Sequence, residues 1–334
     1  MAKIIIIGAT GFIGKNLLAK LVVDKSETKC LVRKKSELIG PLFDQVELIE
    51  GDITDKQSLK NLVELGDTVY YLAGAVGKHS PNEYYKINIA GLENVIEYCR
   101  GRVNKFVYFS SASAVGDSSG VIDETTDCQP RTDYGKTKLQ AESILLNFYQ
   151  KEKFPVVIIR PPIVYGPHDL NESRDLSMIK LIKYVRAKKF FLVGPGGGSR
   201  RSICFVGNLI QGAMVAAENK KTSGQIYFLA DPAVYDLLDL AKIIAKEENI
   251  LFQEKHHSNF FVQFLALASE TSAQIRGIFP QFNRRVASAM TRDLFCSIKK
   301  AQDDFNYEPA FSTEQAIKIT MAWYRVNNII KSKK

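Results

Sequence analysis

The feature that most constrains the fold is a run of glycines near the N-terminus. Four isoleucines, residues 4–7, precede Gly8, Gly11 and Gly14, and the apolar residues that follow have helical spacing. Glycine permits a sharp turn from strand to helix, and it lets backbone N–H groups approach a diphosphate at the N-terminus of that helix. This context predicts a dinucleotide-binding turn, although glycines also serve plain turns. The residues assigned to it are Gly8, Thr10, Gly11, Phe12, Ile13 and Gly14.

Short apolar runs alternate with amphipathic segments through the first half of the chain. The runs that predict strands are residues 4–7, 29–32, 46–50, 68–72, 106–110 and 156–160. Several are apolar throughout, as strands buried on both faces are. Amphipathic stripes predict helices at residues 13–22, 59–66, 83–100 and 134–151. The alternation predicts an α/β fold, a Rossmann-type doubly wound parallel sheet.

The second half of the chain has a looser pattern and predicts a smaller, interleaved C-terminal substrate lobe. Residues 1–165 are expected to form the NAD(P)-binding domain, and residues 166–334 mainly the substrate lobe. A helix at 207–219 and a strand at 226–230 indicate that segments near 203–230 return to the first domain. A further helix is expected near residues 236–248.

Composition and cysteine usage favour a cytoplasmic globular protein. The chain has 334 residues, 46% of them hydrophobic and 24% charged. Its five cysteines are far apart, with no CxxC pair and no histidine at ligand spacing, which predicts reduced thiols, no disulfide framework and no metal site. The N-terminal apolar run is too short for a secretory signal or a membrane span.

The formal charge of +9 favours anionic partners without choosing among them. The basic residues occur in short groups with no aromatic-interleaved patch, so no nucleic-acid partner is expected. Residues 260–268 (FFVQFLALA) are the most apolar stretch and predict a buried or surface-docking helix. Because this stretch lacks the basic polar face of an interfacial helix, membrane contact is not expected.

The end of the second strand bears on the choice of cofactor. An acidic residue there binds the ribose hydroxyls of NAD, whereas a basic one accommodates the 2′-phosphate of NADP. Arg33 therefore favours NADP(H) over NAD(H), with a solvated loop as the alternative. Asp52 and Ile53 follow the third strand, where they would reach the adenine. Leu72, Ala73 and Gly74 end the fourth strand with small residues along the path of the cofactor.

A tyrosine and a lysine four residues apart suggest the chemistry. Tyr134 and Lys138 share one helical face, and a neighbouring ammonium lowers the pKa of a tyrosine, ordinarily about 10, toward neutral pH. Ser111 follows the fifth strand, at the sheet edge where ligands bind, and can hold a substrate oxygen. A tyrosine and a lysine at this spacing also occur on exposed helices without any function. The prediction therefore depends on Tyr134, Lys138 and Ser111 occurring together.

These motifs resemble the extended short-chain dehydrogenase/reductases, the group of NAD(P)-dependent epimerases and dehydratases and of the dihydroflavonol-reductase-like and 3β-hydroxysteroid-dehydrogenase-like enzymes. The matching segments, in the family's order and spacing, are GATGFIG (8–14), GDITD (51–55), YLAG (71–74), NIAG (88–91), YFSSASAVGD (108–117), YGKTK (134–138) and RPPIVYGP (160–167). The resemblance covers nearly the whole chain. It also implies a homodimer, because family members often dimerise through a four-helix bundle, which helices 83–100 and 134–151 would supply.

The resemblance assigns roles to individual residues. It makes Ser111 the catalytic serine, Tyr134 the acid/base and Lys138 the ribose-binding lysine. Val115 stands where the family often has tyrosine, which leaves Ser113 as a substitute or helper for Ser111. Asn88 is implied to brace helix and strand. The resemblance also places Ser110, Pro161 and Ile163 beside the cofactor.

The reaction remains open among three classes. The resemblance to the reductase-like branch, together with Arg33, favours an NAD(P)-dependent oxidoreductase acting on a carbonyl or carbinol of a small-molecule substrate. Arg200 and Arg201 follow a glycine-rich loop in the region that faces a substrate diphosphate in the family, so a nucleotide-sugar epimerase is the alternative. A non-catalytic NADP(H)-binding regulator is a second alternative. Further candidates for the substrate site are His79, His168 and Arg174.

Overall fold

The computed structural model describes residues 2–35, 40–116, 120–170, 177–194, 199–276, 293 and 295–330. In chain order its strands are β1 (Ile4–Ile7), β2 (Thr28–Val32), β3 (Glu47–Glu50), β4 (Thr68–Tyr71), β5 (Lys105–Phe109), β6 (Val121–Ile122), β7 (Val156–Arg160), β8 (Ile163–Tyr165), β9 (Leu192–Val193), β10 (Arg200–Arg201), β11 (Ile203–Phe205), β12 (Gln225–Phe228), β13 (Tyr235–Asp236), β14 (His256–His257) and β15 (Phe295–Cys296). Its α-helices are α1 (Phe12–Val23), α2 (Pro81–Tyr85), α3 (Gly91–Cys99), α4 (Asp133–Glu152), α5 (Met178–Arg186), α6 (Val206–Glu218), α7 (Leu237–Glu247), α8 (Asn259–Ile275), α9 (Lys299–Phe305) and α10 (Thr313–Val326).

Within the described residues, seven parallel strands form the main sheet in the order β12-β7-β5-β4-β1-β2-β3. The chain runs outward from β1 to β3, then returns to β4 on the other side of β1. The carboxyl ends of β1 and β4 therefore flank the crevice where a doubly wound sheet binds its ligand. The predicted α/β fold is confirmed.

Alternate residues of the buried strands face opposite layers of helices. Ile6 belongs to the layer that contains α1, α6, α7 and α10, whereas Ile5 and Ile7 belong to the layer with α3 and α4. The later segments are part of this arrangement, since α6 packs on α1 and β12 extends the sheet beside β7. Both faces are buried, as the apolar strands require.

One of the helix predictions was wrong, and another was right with a local change. Leu59, Leu62 and Val63 are buried, but the expected helix at 59–66 is one 3-10 turn, Lys56–Leu59, because the chain must reach β4 at Thr68 within a few residues. The helix predicted at 83–100 is present from Pro81 to Cys99, and a π-helical turn (Lys86–Ala90) joins α2 to α3 within it. The wide turn accompanies the buried side chain of Asn88, which bonds outside its own helix.

The described part of the chain has no helix that is both long and apolar enough to cross a bilayer.

Candidate active site

The glycine turn fastens α1 against the end of the sheet. Gly8 has φ +100°, and its carbonyl oxygen accepts a hydrogen bond from Gly11 N at 3.1 Å. A Cβ atom on Gly8 would lie 2.7 Å from Ala73 N, and one on Gly14 would lie 2.1 Å from Gly8 O. Side chains at these two positions would force the strand, the turn and the helix apart.

The N-terminus of α1 fits the diphosphate of a dinucleotide. Gly11 is the N-cap residue and supplies no side-chain bond to the first-turn N–H groups, and the first turn carries no acidic residue. Thr10 and Gly11 are exposed, so the turn is open to solvent. A bound anion would satisfy these N–H groups and interact favourably with the helix dipole.

The residues predicted at the adenosine end have different surroundings. Arg33 is exposed directly after β2. Asp52 Oδ1 accepts hydrogen bonds from Thr54 N at 2.8 Å and Thr54 Oγ1 at 2.9 Å, which fixes the turn after β3. The Ile53 side chain is buried and would contact a Cβ atom on Gly91, so it packs in the protein interior.

The carboxyl end of β4 continues beside the glycine turn. Leu72 N donates to Ile7 O at 2.8 Å, which extends the pairing of β4 with β1. Ala73 then passes Gly8, and Gly74 is exposed. A Cβ atom on Gly74 would lie 3.7 Å from Lys138 Nζ, so this short segment joins the glycine turn to the predicted catalytic residues.

Lys138 is held at the carboxyl end of β5. Its Nζ donates to Phe109 O at 2.7 Å and to the Tyr108 hydroxyl at 3.3 Å. The same Nζ lies 5.9 Å from the centre of the Tyr134 ring, one helical turn earlier. Burial lowers the pKa of Lys138 to about 8, and the charge of Glu142 opposes that effect. The ammonium is therefore fixed beneath a half-buried tyrosine.

Helix α4 begins against the turn that carries the candidate serine. Thr132 caps the helix by accepting from Gly135 N at 3.0 Å. A Cβ atom on Gly135 would lie 2.3 Å from Ser113 O, so the helix and the 3-10 turn that follows Ser111 are in close contact. Ser111 Oγ accepts from Ser113 N at 3.1 Å, which leaves the Ser111 hydroxyl hydrogen to donate elsewhere. Ser111 and Tyr134 are thus both at the edge of the sheet where β5 ends.

Asn88 ties the end of β4 to α4. Its Oδ1 accepts from Ala75 N at 2.7 Å, and its Nδ2 donates to Thr137 Oγ1 at 3.0 Å. Thr137 Oγ1 in turn donates to Tyr134 O at 2.9 Å. Asn88 is 2% exposed, so it braces the site from within, as the resemblance implies.

Sequence reasoning missed a buried charged cluster behind this site. Glu142 is one helical turn after Lys138. Its carboxylate accepts two hydrogen bonds from Arg160, from Nε to Oε1 at 2.9 Å and from Nη2 to Oε2 at 2.5 Å. The Ser110 hydroxyl donates to the same carboxylate, so the side chain of Ser110 faces Glu142. Two signals were present in the sequence: the i, i+4 spacing of Lys138 and Glu142, and an arginine ending an apolar strand, which needs a partner when buried.

Pro161 and Ile163 border the same edge from β7 and β8. Pro161 O accepts from Ala112 N at 2.9 Å, which links the segment after β7 to the turn after Ser111. Ile163 pairs with Ile203 of β11 and is partly buried on the core. These contacts fix the path of the backbone that the resemblance places beside the cofactor.

Among the described residues, the predicted substrate residues have different neighbours. The His79 ring packs on Tyr84 with ring centres 5.5 Å apart, and the Tyr84 ring lies 6.3 Å from the Tyr134 ring, so Tyr84 neighbours both residues. His168 instead packs on Trp323 at 4.6 Å, and burial together with the charge of Lys15 lowers its pKa. Lys15 is on α1, which places His168 toward the glycine turn.

The two candidate arginines already have protein partners. Arg200 is exposed, and its Nη2 lies 3.1 Å from the Asp293 carboxylate. Arg201 is largely buried, with its Nε donating to Ser199 Oγ at 3.2 Å. Arg174 lies outside the described residues.

Comparison with known proteins identifies the family. Residues 4–230 match the profile of the NAD dependent epimerase/dehydratase family. A 3β-hydroxysteroid dehydrogenase/Δ5→4-isomerase from Mycobacterium tuberculosis is 27% identical, over 97% of this chain and 90% of that protein. An Escherichia coli O157:H7 N-acetyl-α-D-glucosaminyl-diphospho-ditrans,octacis-undecaprenol 4-epimerase is 29% identical over 75% of this chain and 72% of that protein.

Solved structures give the same fold. A Bacillus cereus UDP-glucuronic acid 4-epimerase in complex with NAD superposes with a TM-score of 0.73 at 23% identity, covering 98% of this chain and 100% of that one. The predicted enzyme class, an NAD(P)-dependent oxidoreductase or epimerase, is confirmed, and so is the resemblance to extended short-chain dehydrogenase/reductases. The chain belongs to the NAD dependent epimerase/dehydratase family.

Proposed function

We propose that the protein is an oxidoreductase that transfers a hydride between NADP(H) and a carbonyl or carbinol substrate, with Tyr134 as the acid/base. The observation that carries this proposal is the position of Lys138, whose Nζ is held on Phe109 O one helical turn below Tyr134. A buried ammonium at that place stabilises the phenolate form of the tyrosine and favours proton exchange near neutral pH.

Tyr134, Ser111 and Lys138 have different roles in this transfer. When bound, the nicotinamide ring supplies the hydride or accepts it. In the reductive direction the Tyr134 hydroxyl donates its proton to the substrate carbonyl oxygen, and in the oxidative direction the phenolate takes the proton of the carbinol. Ser111 donates a hydrogen bond to the same substrate oxygen. Lys138 stabilises the charge on Tyr134 and would bind a ribose hydroxyl of the cofactor.

The preference for NADP(H) rests on Arg33. Its guanidinium is exposed directly after β2, where a basic residue accommodates the 2′-phosphate. Titration with NADPH and NADH, followed by nicotinamide fluorescence, tests this with wild type and Arg33→Asp. We expect tight NADPH binding that shifts toward NADH in the variant. Equal or tighter binding of NADH by the wild type would contradict the preference for NADP(H).

The catalytic assignment is tested separately, with Tyr134→Phe. We expect turnover of carbonyl substrates to fall at least about 100-fold, because the general acid is lost, while the cofactor dissociation constant stays within about threefold. A variant that retains turnover would exclude Tyr134 as the acid/base.

Sterol ketones and polyprenyl-linked compounds are the first substrates to screen, since two relatives are named for a steroid and for an undecaprenol-linked sugar.

An epimerase is the second candidate, favoured by the 29% identical relative that is named as a 4-epimerase. In this case the protein would return the hydride to the opposite face of the same carbon, with no net use of cofactor. Incubation with nucleotide sugars and lipid-linked sugars separates the two proposals. Interconversion of epimers without change in NADPH absorbance supports the epimerase, whereas stoichiometric NADPH consumption with a carbonyl compound supports the reductase.

A further inference from the structure

Helix α8 presents an unusually apolar surface to solvent. Val262, Ala266 and Ala273 are its buried positions, and the first two pack with Val193 of β9. Phe260, Phe264, Leu267 and Ile275 are 85%, 60%, 48% and 82% exposed, respectively. These four side chains follow the helical repeat and form one stripe, the α8 stripe, which faces away from the body of the protein. An exposed stripe of this size marks an interaction surface.

The charges around the α8 stripe are mostly basic. Glu270 is the one ionisable residue within α8, whereas exposed Lys255 precedes the helix and exposed Arg276 ends it. Lys255 Nζ donates to Lys188 O at 3.3 Å, which brings the Lys188–Lys189 pair to the same end. The acidic neighbour Glu254 is paired with Lys242 at 2.8 Å. Lys188, Lys189, Lys255 and Arg276, at the two ends of α8, are called the basic rim; residues 260–268 contain no basic residue of their own.

We propose that α8 docks on the surface of an anionic lipid bilayer, with the α8 stripe inserted among the lipids and the basic rim on the headgroups. Large apolar side chains on one helical face, flanked by lysine and arginine, are the features that hold a helix in the bilayer interface. The net charge of +9 adds a long-range attraction to such a surface. This proposal goes beyond the proposed function and does not depend on it.

The charge distribution favours a lipid surface over a second copy of the chain. Both ends of α8 are basic, so an antiparallel pairing of two copies about a twofold axis would place Lys255 of one copy near Arg276 of the other. Such like-charge contacts oppose association. An anionic surface instead neutralises both ends at once.

Vesicle flotation tests the proposal with the full-length protein. The probes are vesicles of phosphatidylcholine alone and of phosphatidylcholine with phosphatidylglycerol. We expect wild type to float with the anionic vesicles, and the variant Phe260→Ser/Phe264→Ser/Leu267→Ser to bind them at least about tenfold more weakly, since three apolar side chains are lost. The matched control, Val23→Ser/Leu65→Ser/Val326→Ser, removes three exposed apolar side chains elsewhere and should bind as wild type does.

Two further measurements separate the outcomes. Thermal melting and NADPH titration of both variants, expected to match wild type, show that a loss of flotation is not a loss of folding. Sedimentation velocity tests for a second copy. Absence of wild-type flotation with either vesicle, or a wild-type dimer that the α8 variant converts to monomer without any change in vesicle binding, would overturn the proposal.

Discussion

The Arg160 guanidinium and the Glu142 carboxylate form a buried two-point ion pair behind Lys138, with Nη2–Oε2 at 2.5 Å. Arg160 is 2% exposed and Glu142 is 1% exposed, so neither charge has water as an alternative partner. Removal of one member of such a pair leaves a buried charge uncompensated.

We therefore expect Glu142→Gln to lower the free energy of unfolding by about 3–5 kcal/mol, measured by urea denaturation. The double variant Glu142→Leu/Arg160→Met should recover most of the loss because both charges are gone. The control is Glu152→Gln, which breaks the exposed pair with Arg100 and should cost less than about 1 kcal/mol. An equal loss of unfolding free energy in Glu142→Gln and Glu152→Gln would show that burial of the Arg160–Glu142 pair has no effect on stability.

The pKa of Lys138 predicts a pH dependence of cofactor binding. Burial lowers this pKa to about 8, so the ammonium is present below that pH and loses its proton above it. We expect the dissociation constant of NADPH to rise about three- to tenfold between pH 7 and pH 9.5, as a charged hydrogen-bond donor is lost. Lys138→Met should bind weakly with no such dependence. If the dissociation constant of NADPH had the same pH dependence in wild type and in Lys138→Met, the titrating group would not be Lys138.

Asn88 is predicted to stabilise the site because its side chain forms one hydrogen bond with Ala75, after β4, and another with Thr137 of α4. Asn88→Ala leaves Ala75 N–H without its side-chain acceptor and should cost about 1–3 kcal/mol of unfolding free energy. Because Thr137 also loses a donor, we expect turnover to fall as well, measured as kcat/KM. Asn327→Ala, which removes an exposed bond to Trp323 O, is the control and should leave both quantities nearly unchanged. Full activity in Asn88→Ala would show that the brace is dispensable.

The close packing at Gly14 makes this position intolerant of any side chain. Alanine there would place Cβ 2.1 Å from Gly8 O, so the glycine turn has to open. We expect Gly14→Ala to weaken NADPH binding at least about tenfold and to cost about 1–3 kcal/mol of stability. Gly101→Asn is the control, because Gly101 has open space around it and asparagine tolerates its φ of +68°. Unchanged binding by Gly14→Ala would contradict the role of the turn.

The sequence predicted the glycine turn, the positions of the strands along the chain and the shared helical face of Tyr134 and Lys138, because these signals are local. Strand-forming runs and helical stripes can be counted along the chain, and a four-residue spacing defines a helical face. The charged cluster escaped prediction since Glu142 and Arg160 are on separate elements. Their pairing depends on the packing of α4 against β7, which no local pattern specifies. Where the chain divides into domains, whether it forms a dimer and which residues bind substrate stay predictions.

By itself, then, the sequence determined the α/β class, the glycine turn after β1 and the family, all of which follow from short-range periodicity, motif spacing and glycine stereochemistry. The tertiary structure decided which of these residues meet. It placed a π-helical turn within the helix predicted at 83–100, where Asn88 reaches Ala75 and Thr137, and it turned Ser110 toward Glu142. It also left Phe260, Phe264, Leu267 and Ile275 of α8 exposed, because α8 meets the body through Val262 and two alanines, Ala266 and Ala273. Burial is a property of the whole packed chain, so a segment's hydrophobicity cannot say which of its faces the rest of the molecule will cover.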